Sequence, residues 1–213
     1  MTVMRLTSLR LTSKRRVLVL AAALLAVWLA GYPELEAGPL TDQFKADLER
    51  VLGVIEETGK NGVDVTRRRE AIRAAAEPVF DWREMSSRSM GVHWQARSEP
   101  ERAEFVDLFR DLIQRSYITH VERYSGEPVR FTGEKVEGDF GVVNTRLITR
   151  QGQEVPLDYR LVNREGRWRV YDVLVEGVSL VGNFRTQFDK VIRASSYDEL
   201  VKRLKAKGSA PQT

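Results

Sequence analysis

The spacing of apolar residues changes twice along the chain, and these changes constrain the fold more than any other feature. From Phe44 to Tyr124 apolar residues recur every three or four positions, which is typical of amphipathic helices. From Pro128 the period is two, as expected for strands with one covered face, and after residue 180 the helical spacing returns. Helices, then antiparallel strands, then helices without a long linker predict a single α+β domain.

The middle of the chain contains four predicted strands, which begin at Val129, Val142, Val155 and Arg167. Strict alternation in the last strand would place Trp168, Val170 and Leu174 on one face and leave the intervening apolar residues on the other. We therefore expect an antiparallel four-stranded curved sheet packed by N- and C-terminal helices. The pattern does not decide whether the helices and the sheet enclose a solid core or a cavity.

Capping patterns predict where several helices begin. Thr41 precedes the first apolar stripe, and Asp81 with Glu84 and Ser98 with Glu101 each have the spacing of a capping box. The helix after Ser98 is predicted to extend to about residue 124, which makes it the longest element. Its stripe of aromatic and aliphatic residues is wide enough to pack against two neighbours.

The positive charge of the chain is concentrated before the predicted domain. There are 34 Lys and Arg against 30 Asp and Glu, and five of the basic but only two of the acidic residues precede Gly38. The remaining 29 basic and 28 acidic residues nearly balance, so the composition gives no reason to expect a nucleic-acid partner. With no cysteine, the chain has no disulfide, no thiolate nucleophile and no thiolate metal site.

The N-terminal residues have the pattern of a secretory signal. Lys14, Arg15 and Arg16 precede residues 17–30, which carry no charge. Neither Ala30 nor Ala37 has a small residue three positions earlier, so the pattern does not locate a cleavage site. We predict an export segment at 1–37, one folded domain at 38–207, a disordered tail at 208–213 and a periplasmic location.

No arrangement of residues in the sequence has the spacing of a known catalytic site. Gly-x-Ser-x-Gly does not occur, and His93 and His120 are the only histidines. Asp158 and Asp172 could face each other across a hairpin, although a solvent-facing acid and a buried structural acid are the simpler interpretation. We expect no cofactor, no metal and no catalytic residue.

Arginines at three positions in neighbouring strands allow two interpretations. Arg146, Arg160 and Arg169 could form a cationic row for an anionic headgroup, or they could be ion-paired on an outer sheet face. The second interpretation is the commoner outcome for an alternating strand.

One long segment resembles the MlaC family of periplasmic phospholipid-binding proteins, whose members are also called toluene-tolerance proteins. The block GVSLVGNFRTQF at 177–188 is its most specific part, residues 159–163 and 168–173 are similar to the same family, and so is VFDWREMS at 79–86. The resemblance covers about residues 40–204. It implies a non-enzymatic carrier that holds the acyl chains of a glycerophospholipid, as cargo, in a hydrophobic cavity.

The resemblance also implies partners and a place for the site. The partners would be an inner-membrane ABC transporter complex with an MCE-domain protein and an outer-membrane lipoprotein–porin complex, in a system that maintains outer-membrane lipid asymmetry. At the cavity mouth or a partner contact we expect Phe184, Arg185 and Phe188. The expected lipid-binding residues are Phe109, Leu112, Ile113, Tyr117, Val143, Leu147, Leu157, Tyr159, Leu161, Val170 and Leu174.

Three other hypotheses are compatible with the sequence. A carrier of the same fold could bind hopanoids or other polycyclic lipids. A small isomerase-like enzyme would need Asp172 or His120 inside a wet pocket. An adaptor module without lipid would have a solid core.

Overall fold

The predicted change of period at Pro128 separates a helical part of the fold from a sheet. The computed structural model describes residues 38–208, so the predicted export segment and all but the first residue of the predicted tail lie outside the described residues. The helices are α1 (Pro39–Lys60), α2 (Val65–Ala76), α3 (Trp82–Met90), α4 (Glu99–Glu122), α5 (Leu180–Ala194) and α6 (Tyr197–Gly208), with 3-10 turns at Glu77–Val79 and Gly91–His93. The strands are β1 (Val129–Glu137), β2 (Phe140–Ile148), β3 (Glu154–Arg164), β4 (Arg167–Val175) and β5 (Val178–Ser179).

The strands form one antiparallel sheet in chain order, and the predicted count of four is one too low. The additional strand, β5, has only two residues and pairs with the end of β4. The chain reverses between them through Glu176 and Gly177, whose φ angles are 51° and 81°. Two successive positive φ angles are the geometry of a type I′ turn, which favours glycine at the second position. Such a short strand has too few residues to show an alternation.

A β-bulge in β4 makes the predicted face of Leu174 wrong. Leu161 of β3 pairs with Val170, but the preceding residue of β3 pairs with Asp172, so Tyr171 is an extra residue. The extra residue reverses the alternation after it. Val173 therefore shares a face with Val170, and Leu174 lies on the opposite face.

The helix starts agree with the sequence at some positions and differ at others. Ser98 and Glu101 form the predicted capping box at the start of α4. At the start of α3 the Asp81 carboxylate accepts a hydrogen bond from the Glu84 amide at 2.9 Å, which is one half of a capping box. The other half, a bond from the Asp81 amide to the Glu84 side chain, does not form because this amide donates to the Val170 carbonyl. The first helix begins at Pro39, before Thr41, which is buried inside it and does not act as its cap.

Helices cover both faces of the sheet, and this produces separate apolar clusters. The outer cluster packs α3, α4, α5 and α6 against Val162 and Tyr171. On the opposite face, the inner cluster packs α1 against Val143, Leu161 and Val170. The third cluster joins α1, α2 and the C-terminal half of α4 through isoleucines, with Ile55, Ile72 and Ile118 at its centre.

The described residues fall in one compact unit, as predicted for a single α+β domain. Across residues 38–208, none of the helices has an apolar stretch of the length that would span a membrane.

Candidate functional site

A cavity of about 270 Å³ lies where the three clusters meet. Its walls are α1, α2, α4, the segment that leads into α3, and the inner face of the sheet. The lining side chains are Phe44, Leu48, Val51, Leu52, Ile55, Ile72, Arg73, Ala76, Val79, Phe80, Trp82, Ile113, Gln114, Tyr117, Ile118, Val121, Tyr159 and Val170. An open, almost wholly apolar cavity of this kind is suited to a hydrocarbon chain.

The polar groups on the cavity wall carry no negative charge. The side chains concerned are Arg73, Gln114, Tyr117, Tyr159 and the indole of Trp82. Burial raises the pKa of Tyr159 to about 12, so this phenol stays neutral at physiological pH. Its hydroxyl makes no hydrogen bond to another described residue, and Trp82 Nε1 is buried without a partner. Within residues 38–208 no cluster of acids and histidines is placed to bind a metal.

Four of the residues expected to bind lipid lie on the cavity wall: Ile113, Tyr117, Tyr159 and Val170. Ile113 is buried, whereas Tyr117, one turn further along α4, is 41% exposed at the rim. Two more, Val143 and Leu161, are fully buried in the inner cluster behind the cavity wall. These six residues therefore lie either on the cavity wall or in the inner cluster, which shares Val170 with that wall.

The other five expected residues lie away from the cavity. Phe109 and Leu112 belong to the outer cluster, where Phe109 contacts other aromatic rings. The strand residues Leu147 and Leu157 have the register of the inner face but are not on the wall, and the bulge turns Leu174 to the opposite face.

The contribution of α1 and α2 to the cavity was not predicted from the sequence. Phe44, Leu48, Leu52 and Ile55 form the apolar stripe of α1, and all four line the cavity. The spacing identifies this stripe in the sequence, but it does not show which face of the sheet the helix covers.

The family of the chain follows from its match to the MlaC protein family over residues 45–206, which is most of its length. The chain belongs to the MlaC family. The resemblance carried by the block at 177–188 is thereby confirmed.

Curated relatives of this MlaC family member include two bacterial proteins. The intermembrane phospholipid transport system binding protein MlaC of Haemophilus influenzae is 24% identical over 148 residues, which is 67% of this chain and 69% of that protein. The toluene tolerance protein ttg2D of Pseudomonas putida is 24% identical over 131 residues, or 61% of each chain.

A solved structure supports the fold of the MlaC family member. The chain resembles a phospholipid-binding protein from Ralstonia solanacearum, determined in complex with a phospholipid, with a TM-score of 0.72 and 22% identity. The likeness covers 81% of this chain and 98% of that one, so nearly the whole of that fold is present here.

The acids considered as catalytic candidates have structural roles in this MlaC family member. Asp172 is buried on the outer face, accepts hydrogen bonds from the Ser179 hydroxyl at 2.6 Å and the Val181 amide at 3.0 Å, and pairs with Arg160. These bonds fix the start of α5 against β4. Asp158 accepts a hydrogen bond from Asn144 at 2.9 Å on the same outer face. Neither carboxylate lies in the cavity.

The histidines also lie outside the cavity. His93 contacts the Asp189 carboxylate at 2.7 Å, and His120 is exposed next to the ring of Tyr117. The isomerase-like hypothesis required one of its candidates inside a wet pocket, and neither Asp172 nor His120 lines this one.

The predicted cationic row is in part an ion-paired surface. Arg160 pairs with Asp172 at 3.3 Å, and Arg146 lies 3.9 Å from Asp158. Arg169 is exposed. The paired carboxylates offset the positive charge of two of the three arginines.

The expected mouth or partner residues Phe184, Arg185 and Phe188 all lie on α5, away from the cavity. Phe184 and Phe188 contact Phe109 in the outer cluster and border a separate groove between α4, α5 and α6. Arg185 is exposed beside Gly91.

Proposed function

We propose that this protein is a phospholipid carrier that holds acyl chains in the cavity between α1, α2, α4 and the sheet. The observation that carries the proposal is the apolar, open cavity in a chain of the MlaC family. Burying one methylene stabilises the complex by about 0.8 kcal/mol, so an acyl chain binds without a specific polar contact. The names of the Haemophilus influenzae relative and of the solved structure, which concern phospholipid transport and phospholipid binding, support the same cargo.

The cavity is small for a lipid with two chains. Its volume of about 270 Å³ lies just below the usual range of about 300–1,000 Å³ for ligand sites. We infer that α1 and α2 move outward from α4 when both chains enter. The third cluster, which joins these helices, contains half-buried side chains such as Val51 and Leu52 as well as fully buried ones, and this favours such a movement.

We also infer where the protein acts and which complexes it meets. The charge pattern at 14–30 supports export to the periplasm, with residues 1–37 as the export segment. There the carrier would receive or deliver lipid at an inner-membrane ABC transporter complex with an MCE-domain protein and at an outer-membrane lipoprotein–porin complex. Such exchange would maintain the lipid asymmetry of the outer membrane. No catalytic step is needed for it.

Native mass spectrometry of the exported full chain, followed by solvent extraction, tests the cargo. We expect a stoichiometric adduct with the mass of a phospholipid. An adduct of polycyclic mass would keep the fold and overturn the phospholipid assignment. A protein that stays empty after incubation with phospholipid vesicles would contradict the carrier function and favour an adaptor.

A further inference from the structure

One arginine on the cavity wall differs from the other arginines of the described chain. Arg73 of α2 is half-buried, lines the cavity, and has its Nε atom buried without a hydrogen-bond partner. Among the half-buried arginines within residues 38–208, it is the one that makes neither an ion pair nor a side-chain hydrogen bond. Arg68, Arg97 and Arg115 also bury one unpartnered guanidinium nitrogen, but each of them makes another hydrogen bond or ion pair. Since buried donors usually have partners, an arginine with none calls for an explanation.

Arg73 lies between two charged residues that do have partners on α4. Arg69, Arg73 and Glu77 are spaced four residues apart, so they follow one face of the helix and the turn after it. Arg69 Nε donates to the Glu122 carboxylate of α4 at 3.0 Å, and Glu77 accepts a hydrogen bond from Arg110 of α4 at 3.2 Å. The charged groups on either side of Arg73 are thus both paired across to α4.

The part of α4 opposite Arg73 contains neutral groups in place of an acid. The two ion pairs show that α4 runs antiparallel to α2, so Arg73 lies opposite the region midway between residues 110 and 122. Gln114 and Tyr117 are in this region, three residues apart on one face, and both line the cavity. Their side chains make no hydrogen bond to another described residue, and the nearby Asp111 is paired with Arg115 at 2.6 Å.

An anion that carries hydrocarbon chains would satisfy all three groups at once. The planar guanidinium matches the oxygens of a phosphate and binds them through two parallel hydrogen bonds. An amide and a phenol can each donate one more hydrogen bond. Since Tyr117 is exposed at the rim, these groups mark the boundary between the apolar interior and solvent.

We propose that Arg73, Gln114 and Tyr117 form a subsite for the phosphate of the bound lipid. The inference rests on the carrier function proposed above and adds a place for the headgroup. The acyl chains enter the apolar cavity, and the phosphodiester stays at the rim between α2 and α4. Arg73 thereby favours a phospholipid over a neutral lipid with the same chains.

Competition between two lipids with identical chains tests this subsite. Lipid-free full-length protein is incubated with vesicles that contain equal amounts of dioleoylphosphatidylglycerol and dioleoylglycerol, and the recovered lipid is quantified. We expect the wild type to be enriched in the phospholipid by about tenfold, as one hydrogen bond to a charged group predicts. Arg73→Gln should lower the enrichment about tenfold while the total lipid per protein stays the same.

A variant on the same helix provides the matched control. Arg67→Gln removes an exposed arginine of α2 that does not line the cavity, and it should keep the wild-type enrichment. If Arg73→Gln also keeps the wild-type enrichment, the assignment of the phosphate subsite is wrong, although the carrier function stands. If the wild type takes up neither lipid, the carrier function itself fails.

A further competition experiment distinguishes a lipid headgroup from free phosphate as the anion that binds to the subsite. Excess inorganic phosphate is added at constant ionic strength. An unchanged enrichment in the wild type supports the headgroup. A fall to the level of Arg73→Gln would show that the site binds the free anion and would overturn the headgroup assignment.

Discussion

The two halves of α4 both carry apolar side chains at helical spacing, but their surroundings differ. The N-terminal half places Phe105 and Phe109 in the outer cluster, where both are fully buried and contact Phe188 with ring centroids 5.7 Å away. The C-terminal half places Ile113 and Tyr117 on the wall of the cavity. One amphipathic helix thus contributes to a solid core at one end and to the wall of a cavity at the other.

The difference between the halves lies in what they pack against. Opposite the first half, α5 supplies large aromatic side chains that fill the space between the helices, as Phe184 does against Phe109 at 5.3 Å. Opposite the second half, α1 and α2 supply Val51, Ile72 and Ala76, which leave part of the space empty. Val51, Ile72 and Ala76 are smaller than the rings of α5, and the cavity lies beside them.

Removing a ring from each half should give the largest difference in stability. Phe109→Ala leaves a hole in a solid core and should lower the free energy of unfolding by about 3–5 kcal/mol. Tyr117→Ala removes a side chain that is 41% exposed and should cost less than about 1 kcal/mol. Urea denaturation of both variants measures the difference. Equal losses would mean that the two halves of α4 are packed alike.

Filling the cavity should weaken lipid binding with little change in stability. Leu48→Trp adds bulk to a half-buried residue of the cavity wall and should weaken lipid binding at least tenfold, which is about 1.4 kcal/mol. Leu108→Trp adds the same ring at a half-buried position beside the outer cluster and should leave lipid binding intact. Lipid retained per protein after gel filtration measures both. Retention by Leu48→Trp would show that the acyl chains lie elsewhere.

Each region contains a tyrosine whose hydroxyl can be removed by substitution with phenylalanine. The Tyr197 hydroxyl donates a hydrogen bond to the Glu101 carbonyl at 3.1 Å, so Tyr197→Phe should cost about 1 kcal/mol. Tyr159 has no such bond, and Tyr159→Phe should change stability by less than about 0.5 kcal/mol at pH 7. Thermal unfolding of both variants tests this. A larger loss for Tyr159→Phe would indicate an ordered polar partner in the cavity.

The raised pKa values of the same two tyrosines predict a loss of stability at high pH. Burial is the main cause that raises the pKa of each from about 10 to about 12. The folded state therefore holds protons that the unfolded state has lost, and stability falls as the pH rises from about 10 to about 12. Each Phe variant should remove part of this fall. Unchanged pH profiles would contradict the raised pKa values.

The smallest effect is expected at a site outside both regions. Hydrogen bonds from the Ser125 amide and from Arg150 lower the pKa of Glu127 to about 2. The ionised carboxylate stabilises the fold above pH 4.5, and this contribution is lost as the pH falls towards 2. The stability difference between wild type and Glu127→Gln should therefore shrink over that range. A difference that is constant with pH would contradict the assignment.

The parts of the fold that depend on local pattern were predictable from the sequence. The change of period at Pro128 and the capping box at Ser98 appear in the structure where the residues indicate them. The bulge at Tyr171 could not be predicted, because an extra strand residue changes pairing without any characteristic side chain. This one residue accounts for the wrong face of Leu174.

The residues of the cavity wall were predicted less completely, for a different physical reason. Ile113, Tyr117, Tyr159 and Val170 were expected at the site because they are apolar residues of the long helix and the sheet. Whether a solid core or a cavity forms beside an apolar stripe depends on the element that packs against it. The spacing of apolar residues does not show which element that is. The placement of Phe109 in a solid core follows from α5, far along the chain.

Cross-linking from within the bound lipid tests the central claim most directly. A phospholipid with a diazirine at mid-chain is loaded into the full-length protein and activated by light, and the labelled peptides are identified by mass spectrometry. We expect labels on α1, on α2 and on the half of α4 that contains Ile113 and Tyr117. Labels confined to α5, α6 and the peptide around Phe109 would contradict the account.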